Sequence, residues 1–403
     1  MVFDWQEEWN ISFAGCGFRS IYYVGALSCI LERVPQLVHG ASKICGASSG
    51  CLVAAALTVG IPIEELCVAI LTAAKEARKH TLGVFHPTFS LLRTLQVTLL
   101  DKLPEDAHLR ASGKLCVSLT RMVDGQNVLV SEFASREDLI QVLMCSCFFP
   151  AYSGFTAPSY QGVRYMDGAL SNNVPLCEQR NTIIVAPFSG ESDICPREGT
   201  YNFFEASYGN VSIQVNTGNV HRICTSFLPQ KPETLAEICY NGYKDALRFL
   251  RERDLLRVQP VPRSVMVAEA AGGGLDEASA NNWRATNYKI LNGNLRAIEN
   301  LPVHIMKVLC EACRDRNDGV TWWSRLTDSY LLRLVVFLLA LVFLPIQTIF
   351  FLTKMFLVLS IDVYGQSLRG EGSPLKSITA EQQSSNGSTE HSKKKADMKS
   401  TKL

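Results

Sequence analysis

The chain has 403 residues, 47% of them hydrophobic, which allows a large core and excludes general disorder. A formal net charge of +1 gives no global attraction to nucleic acid, and no nucleic-acid partner is expected. Fourteen cysteines are scattered, several inside apolar runs, so they read as reduced, mostly buried thiols rather than a disulfide framework.

In chain order, Met1–Glu8 carries no basic start or apolar signal core, and a cytosolic catalytic region is expected. Residues 10–14 predict a strand that runs into Gly15-Cys16-Gly17. A helix over 20–34 follows, with Ile21, Val24, Leu27 and Leu31 at helical spacing. A short apolar strand at 41–45 and a helical segment over 51–57 flank Gly46-Ala47-Ser48-Ser49-Gly50. Residues 63–79 read as a helix, 115–120 and 127–131 as strands joined by the turn signal Asp124-Gly125, and 135–144 as a helix with a Ser-x-x-Asp start. Strands over 163–166 and 182–186 and a helix over 232–253 complete the pattern. Alternating strands and helices predict an α/β sheet covered on both faces.

The segment 46–50 matches G-x-S-x-G, the turn that presents a serine nucleophile between a strand and a helix. Its glycines let backbone approach backbone around a strained serine. A serine hydroxyl is a weak nucleophile and needs a base, and the oxyanion it creates needs donors. Gly15-Cys16-Gly17, between a strand and a helix, can turn N–H groups outward for that purpose. As a dinucleotide fingerprint the same segment fails, because the sixth position is Ser20 and no acidic residue is placed to follow. The base stays open on spacing alone. None of the seven histidines (His39, His80, His86, His108, His221, His304 and His391) lies in a catalytic motif, and Asp124, Asp167 and Asp318 all precede glycine. Asp167-Gly168-Ala169 differs in following a strand directly. Cys310-x-x-Cys313 has no second pair to complete a zinc site, and no metal ion or cofactor is expected.

Taken together, Gly15-Cys16-Gly17-Phe18-Arg19, Gly46-Ala47-Ser48-Ser49-Gly50 and Asp167-Gly168-Ala169 resemble, in order, the motifs of the patatin-like phospholipase family. The resemblance covers roughly residues 9–255 and includes 118–121, 162–168 and 187–196. It implies a three-layer α/β sandwich with a central, mostly parallel sheet and a Ser–Asp dyad. Ser48 would be the nucleophile and Asp167 the proton acceptor. Gly15, Cys16 and Gly17 would form the oxyanion hole, with Gly46, Gly50 and Gly168 supporting the motifs. It implies hydrolysis of acyl esters of neutral lipid, triacylglycerol above all, with phospholipase or transacylase activity as related options. It also implies residence at the lipid-droplet surface and endoplasmic reticulum membrane, and an α/β-hydrolase-like coactivator as partner. A rival reading is a weakly active droplet protein that sequesters such a coactivator. One departure stands out: the family loop usually ends in glycine where this chain has Ser20, which strains the loop if its φ must be positive and is neutral or capping if it opens the helix.

The expected organisation is a catalytic domain over 1–255 with its motif-bearing core at 11–180, then a linker over 256–300 marked by Pro260, Pro262 and Gly272-Gly273-Gly274. An amphipathic region over 301–330 and a hydrophobic anchor over 331–361 follow, then a disordered polar tail over 362–403. Residues 334–353 carry no charge, about the length of one hydrocarbon core. Pro345 near the middle favours a hairpin over a straight span.

Overall fold

In a computed structural model of the chain, which describes residues 3–80, 84, 86, 89–177, 181–197, 205–257 and 301–314, each strand expected from the apolar runs forms with its ends shifted by a residue or two. The order is β1 (Asn10–Phe13), a 3-10 turn at Gly17–Ser20, α1 (Ile21–Arg33), α2 (Gln36–His39), β2 (Lys43–Gly46), α3 (Ser49–Val59) and α4 (Ile63–Lys79). Then come α5 (Leu91–Lys102), α6 (Ala107–Ala111), β3 (Leu115–Arg121), β4 (Asn127–Val130), α7 (Arg136–Ser146), β5 (Ser159–Tyr160) and β6 (Val163–Asp167). The rest is β7 (Thr182–Val185), β8 (Glu205–Tyr208), β9 (Val211–Gln214), α8 (Thr217–Phe227), α9 (Pro232–Glu252) and α10 (Val303–Arg314).

Strands β7, β1, β2 and β3 lie side by side and parallel, with β4 and β6 each antiparallel to β3 and β5 antiparallel to β6. Every residue of β1 is buried, as is every residue of β3 except Arg121, so the parallel centre is covered on both faces. Along β3, one edge is filled by β4, which pairs with 117–120. The opposite edge is shared. Strand β2 runs up it as far as Gly46 opposite Val117, and β6 runs down it as far as Asp167 opposite Leu119. The C-terminal ends of two strands therefore meet on one edge, which is where an α/β sheet collects functional groups.

The largest helix contact joins α1 to α9. A Cβ on Gly25 would stand 1.8 Å from the Cys239 carbonyl oxygen, and one on Gly242 would stand 2.0 Å from that of Tyr22, so glycine on each helix is what permits the approach. Tyr22 seals the pair by donating to Asp245 at 2.8 Å. Residues 303–314, expected within an amphipathic region, add a helix to this core. Helix α10 packs on α4 and α9 and buries Ile305, Met306 and Leu309. Of the expected linker over 256–300, residues 258–300 lie outside the described residues, as do the apolar run 331–361 and the tail 362–403. Among the described residues no helix is long and apolar enough to cross a membrane.

Candidate active site

Ser48 sits between β2 and α3 with φ 52° and ψ −134°, a backbone conformation that side chains rarely adopt. Packing holds it there. A Cβ on Gly46 would lie 2.5 Å from the Gly50 carbonyl carbon, and one on Gly50 would lie 2.3 Å from the Phe13 oxygen, so the elbow closes only with glycine at both positions. The Ser48 N–H donates to the Ser146 hydroxyl at 3.0 Å, and that hydroxyl donates to the Ser118 carbonyl at 2.8 Å. A buried serine on α7 thus ties the elbow to β3.

Asp167, the last residue of β6, is 3% exposed. Burial pushes its carboxyl up to about 7, against the opposing effect of hydrogen bonds from the Ser48 side chain and the Ala169 N–H. The Ala169 N–H donates to Oδ1 at 2.9 Å and fixes the carboxyl plane. The Asp167 main chain is anchored twice: its N–H donates to the Phe148 carbonyl at 2.7 Å, and the Thr120 hydroxyl donates to its carbonyl at 2.7 Å. Gly168 packs against β3 so closely that a Cβ would stand 2.0 Å from the Ser118 oxygen. A carboxyl near 7 beside a hydroxyl is half deprotonated at neutral pH and suited to take a proton.

The loop after β1 completes the cluster. A Cβ on Gly15 would lie 2.8 Å from the Ser48 Cβ, so this glycine leaves the space in which the nucleophile sits. The Gly15 N–H donates to Asn173 Oδ1 at 2.6 Å, and the Cys16 N–H donates to the Ser49 hydroxyl at 3.1 Å. Two of the three expected oxyanion donors are thereby engaged. Among the described residues the Gly17 N–H meets no protein acceptor, and neither does the N–H of Ser49, which opens α3. Ser49, Ser146 and Asn173 were not singled out by the sequence as site residues, because their roles come from contacts far apart in the chain. Burial pushes the Cys16 thiol up to about 11, so it stays neutral at its place in the loop.

Ser20 has φ −54° and ψ −19°, ordinary right-handed backbone, so serine in place of glycine adds no strain; its side chain makes no cap hydrogen bond. Arg19 is buried and donates to the Thr225 hydroxyl at 2.9 Å, which ties the loop to α8. Burial pushes its guanidinium down to about 10. Asp124 occupies the β3–β4 turn and pairs with Arg121 at 3.0 Å. Asp318 and His391 lie outside the described residues. Among the described residues no histidine is among the groups that perturb Asp167.

Residues 11–178 match the family described as patatin-like phospholipase. The human patatin-like phospholipase domain-containing protein 2 is 44% identical over 326 residues, 81% of this chain and 64% of that protein. The human 1-acylglycerol-3-phosphate O-acyltransferase PNPLA3 is 43% identical over 260 residues, covering 64% of this chain and 54% of that protein. The human patatin-like phospholipase domain-containing protein 5 is 35% identical over 368 residues, 89% of this chain and 85% of that protein. The chain belongs to the patatin-like phospholipase family. It spans just under two thirds of the length of the first of these relatives.

Proposed function

We propose that the chain is a serine acyl-ester hydrolase of neutral lipid, triacylglycerol foremost, working through Ser48 and Asp167. The observation that carries this reading is a buried carboxyl with pKa about 7 hydrogen-bonded to the side chain of an elbow serine. Ser48 Oγ attacks the ester carbonyl while Asp167 takes its proton. The N–H groups of Gly17 and Ser49 stabilise the oxyanion. Collapse expels the alcohol, which recovers the proton from Asp167 and leaves acyl-Ser48. Asp167 then deprotonates a water, whose attack releases the fatty acid and restores the hydroxyl. An alcohol in place of that water gives acyl transfer, the chemistry in the printed name of the acyltransferase relative.

A lipid substrate is supported by the surroundings. On α8, Val220, Ile223 and Phe227 are 47%, 40% and 37% exposed at spacings that share one helical face. Helix α8 abuts the oxyanion loop through Arg19 and Thr225. Tyr208, also exposed, lies within electrostatic reach of Asp167. An apolar rim beside a half-buried nucleophile suits an interface of lipid rather than a dissolved ester. The apolar run 331–361 would hold the enzyme at a droplet or endoplasmic reticulum membrane, with an α/β-hydrolase-like coactivator as partner.

The test is a panel of triacylglycerol, retinyl ester and phospholipid assayed with the wild type, Ser48→Ala and Asp167→Asn. Fatty acid release from triacylglycerol by the wild type, absent in both variants, is expected. Equal release by Ser48→Ala overturns the reading.

A further inference from the structure

Cys45 and Cys116 are register partners on the adjacent parallel strands β2 and β3. Cys177, on the segment that follows Asp167, meets them there. The three Sγ atoms all lie within 4.8 Å of one another, with Cys45 and Cys177 2.8 Å apart. All three are free thiols; Cys45 and Cys116 are buried and Cys177 is half-buried. The hydrolytic steps use none of them.

We propose that Cys45, Cys116 and Cys177 form a three-thiolate site for a thiophilic metal ion, with zinc(II) the ion to test. Three sulfurs held around one point are the donor set that such ions select. At a Zn–S distance of about 2.3 Å, sulfurs sharing one ion stand roughly 4 Å apart, which the trio reaches once Cys177 rotates away from Cys45 by about 1 Å. The strand register fixes the other two, and Cys177 lies beyond the last residue of β6. Cys177 is the most accessible of the three ligands. A water completes the fourth position on the Cys177 side. Bound metal would cross-link the strand that ends at the Ser48 elbow to the segment that carries Asp167 and Asn173, clamping the two arms of the site.

The full chain, purified reduced and stripped with a chelator, is titrated with zinc(II) against a chromogenic competitor and separately with cobalt(II). Expected are one zinc per chain, a thiolate-to-cobalt charge-transfer band, a rise in Tm on adding zinc, and shielding of Cys177, the accessible thiol of the three, from iodoacetamide by bound zinc. Cys177→Ser and Cys116→Ala, shown folded by circular dichroism, should each lose the zinc and the band, and Cys310→Ser should keep both. Undiminished zinc in Cys177→Ser, loss in Cys310→Ser instead, or alkylation of Cys177 unaffected by zinc overturns the proposal. So does a Cys45–Cys177 disulfide formed in place of metal uptake. The alkylation result on the wild type decides the matter even if a variant fails to fold.

Discussion

Gly46 and Asp167 end their strands on the same edge of β3, opposite Val117 and Leu119, with only Ser118 between their registers. Strand β2 hands the chain to the elbow two residues later, and β6 delivers the carboxyl at its last position. The meeting of Ser48 and Asp167 is thus built into sheet pairing and does not depend on a flexible loop.

Asp167→Asn should abolish hydrolysis yet stabilise the fold above neutral pH. A carboxyl raised to about 7 keeps its proton in the folded chain where the unfolded chain has lost it, so stability falls as pH climbs from about 4 to about 7. Above that window the penalty is complete, on the order of 4 kcal/mol if the whole shift is expressed. Urea unfolding at pH 5 and pH 8 checks this: the variant's advantage should be larger at pH 8.

Activity should rise with pH through about 7, because only ionised Asp167 accepts the Ser48 proton. The pH profile of kcat/KM on a dissolved short-chain ester reads this limb without interference from lipid charge. A flat profile from pH 5 to pH 8 contradicts the assignment of Asp167 as base.

Gly15→Ala should lower kcat by about 100-fold while the protein stays folded, the cost of misplacing a reacting group by roughly 1 Å. Its methyl would stand 2.8 Å from the Ser48 Cβ and 2.9 Å from Asn173 Oδ1, so the nucleophile or the loop must shift. Steady-state kinetics alongside circular dichroism separates this from misfolding.

Ser48→Gly should be more stable than Ser48→Ala by about 1–2 kcal/mol, since only glycine adopts the elbow backbone without strain. Both variants should be inactive. Equal unfolding midpoints would mean that the elbow stores no strain.

The strands and the elbow were legible because their signals are local. Apolar runs such as 115–120 and the G-x-S-x-G spacing depend only on neighbours in the chain. The choice of base was not local. Asp124-Gly125 and Asp167-Gly168 share one dipeptide and differ in sequence only in that Asp167 directly follows a strand, but one caps a hairpin in contact with Arg121 and the other is buried opposite Leu119. The oxyanion donors were partly legible. Spacing pointed to the loop at 15–17 but could not show that Asn173 and Ser49 already engage Gly15 and Cys16. Helix α8 escaped because Val220, Ile223 and Phe227 face outward, so its periodicity marks no core. The cysteine trio escaped because β2, β3 and the segment after β6 bring it together only on folding.

The most direct test of the dyad is fluorophosphonate labelling of the full chain at neutral pH, followed by peptide mass spectrometry and a time course for each variant. One adduct on Ser48 is predicted, absent in Ser48→Ala and slowed at least about 100-fold in Asp167→Asn, as expected for loss of a general base. Labelling of another residue, or an undiminished rate in Asp167→Asn, would contradict the account.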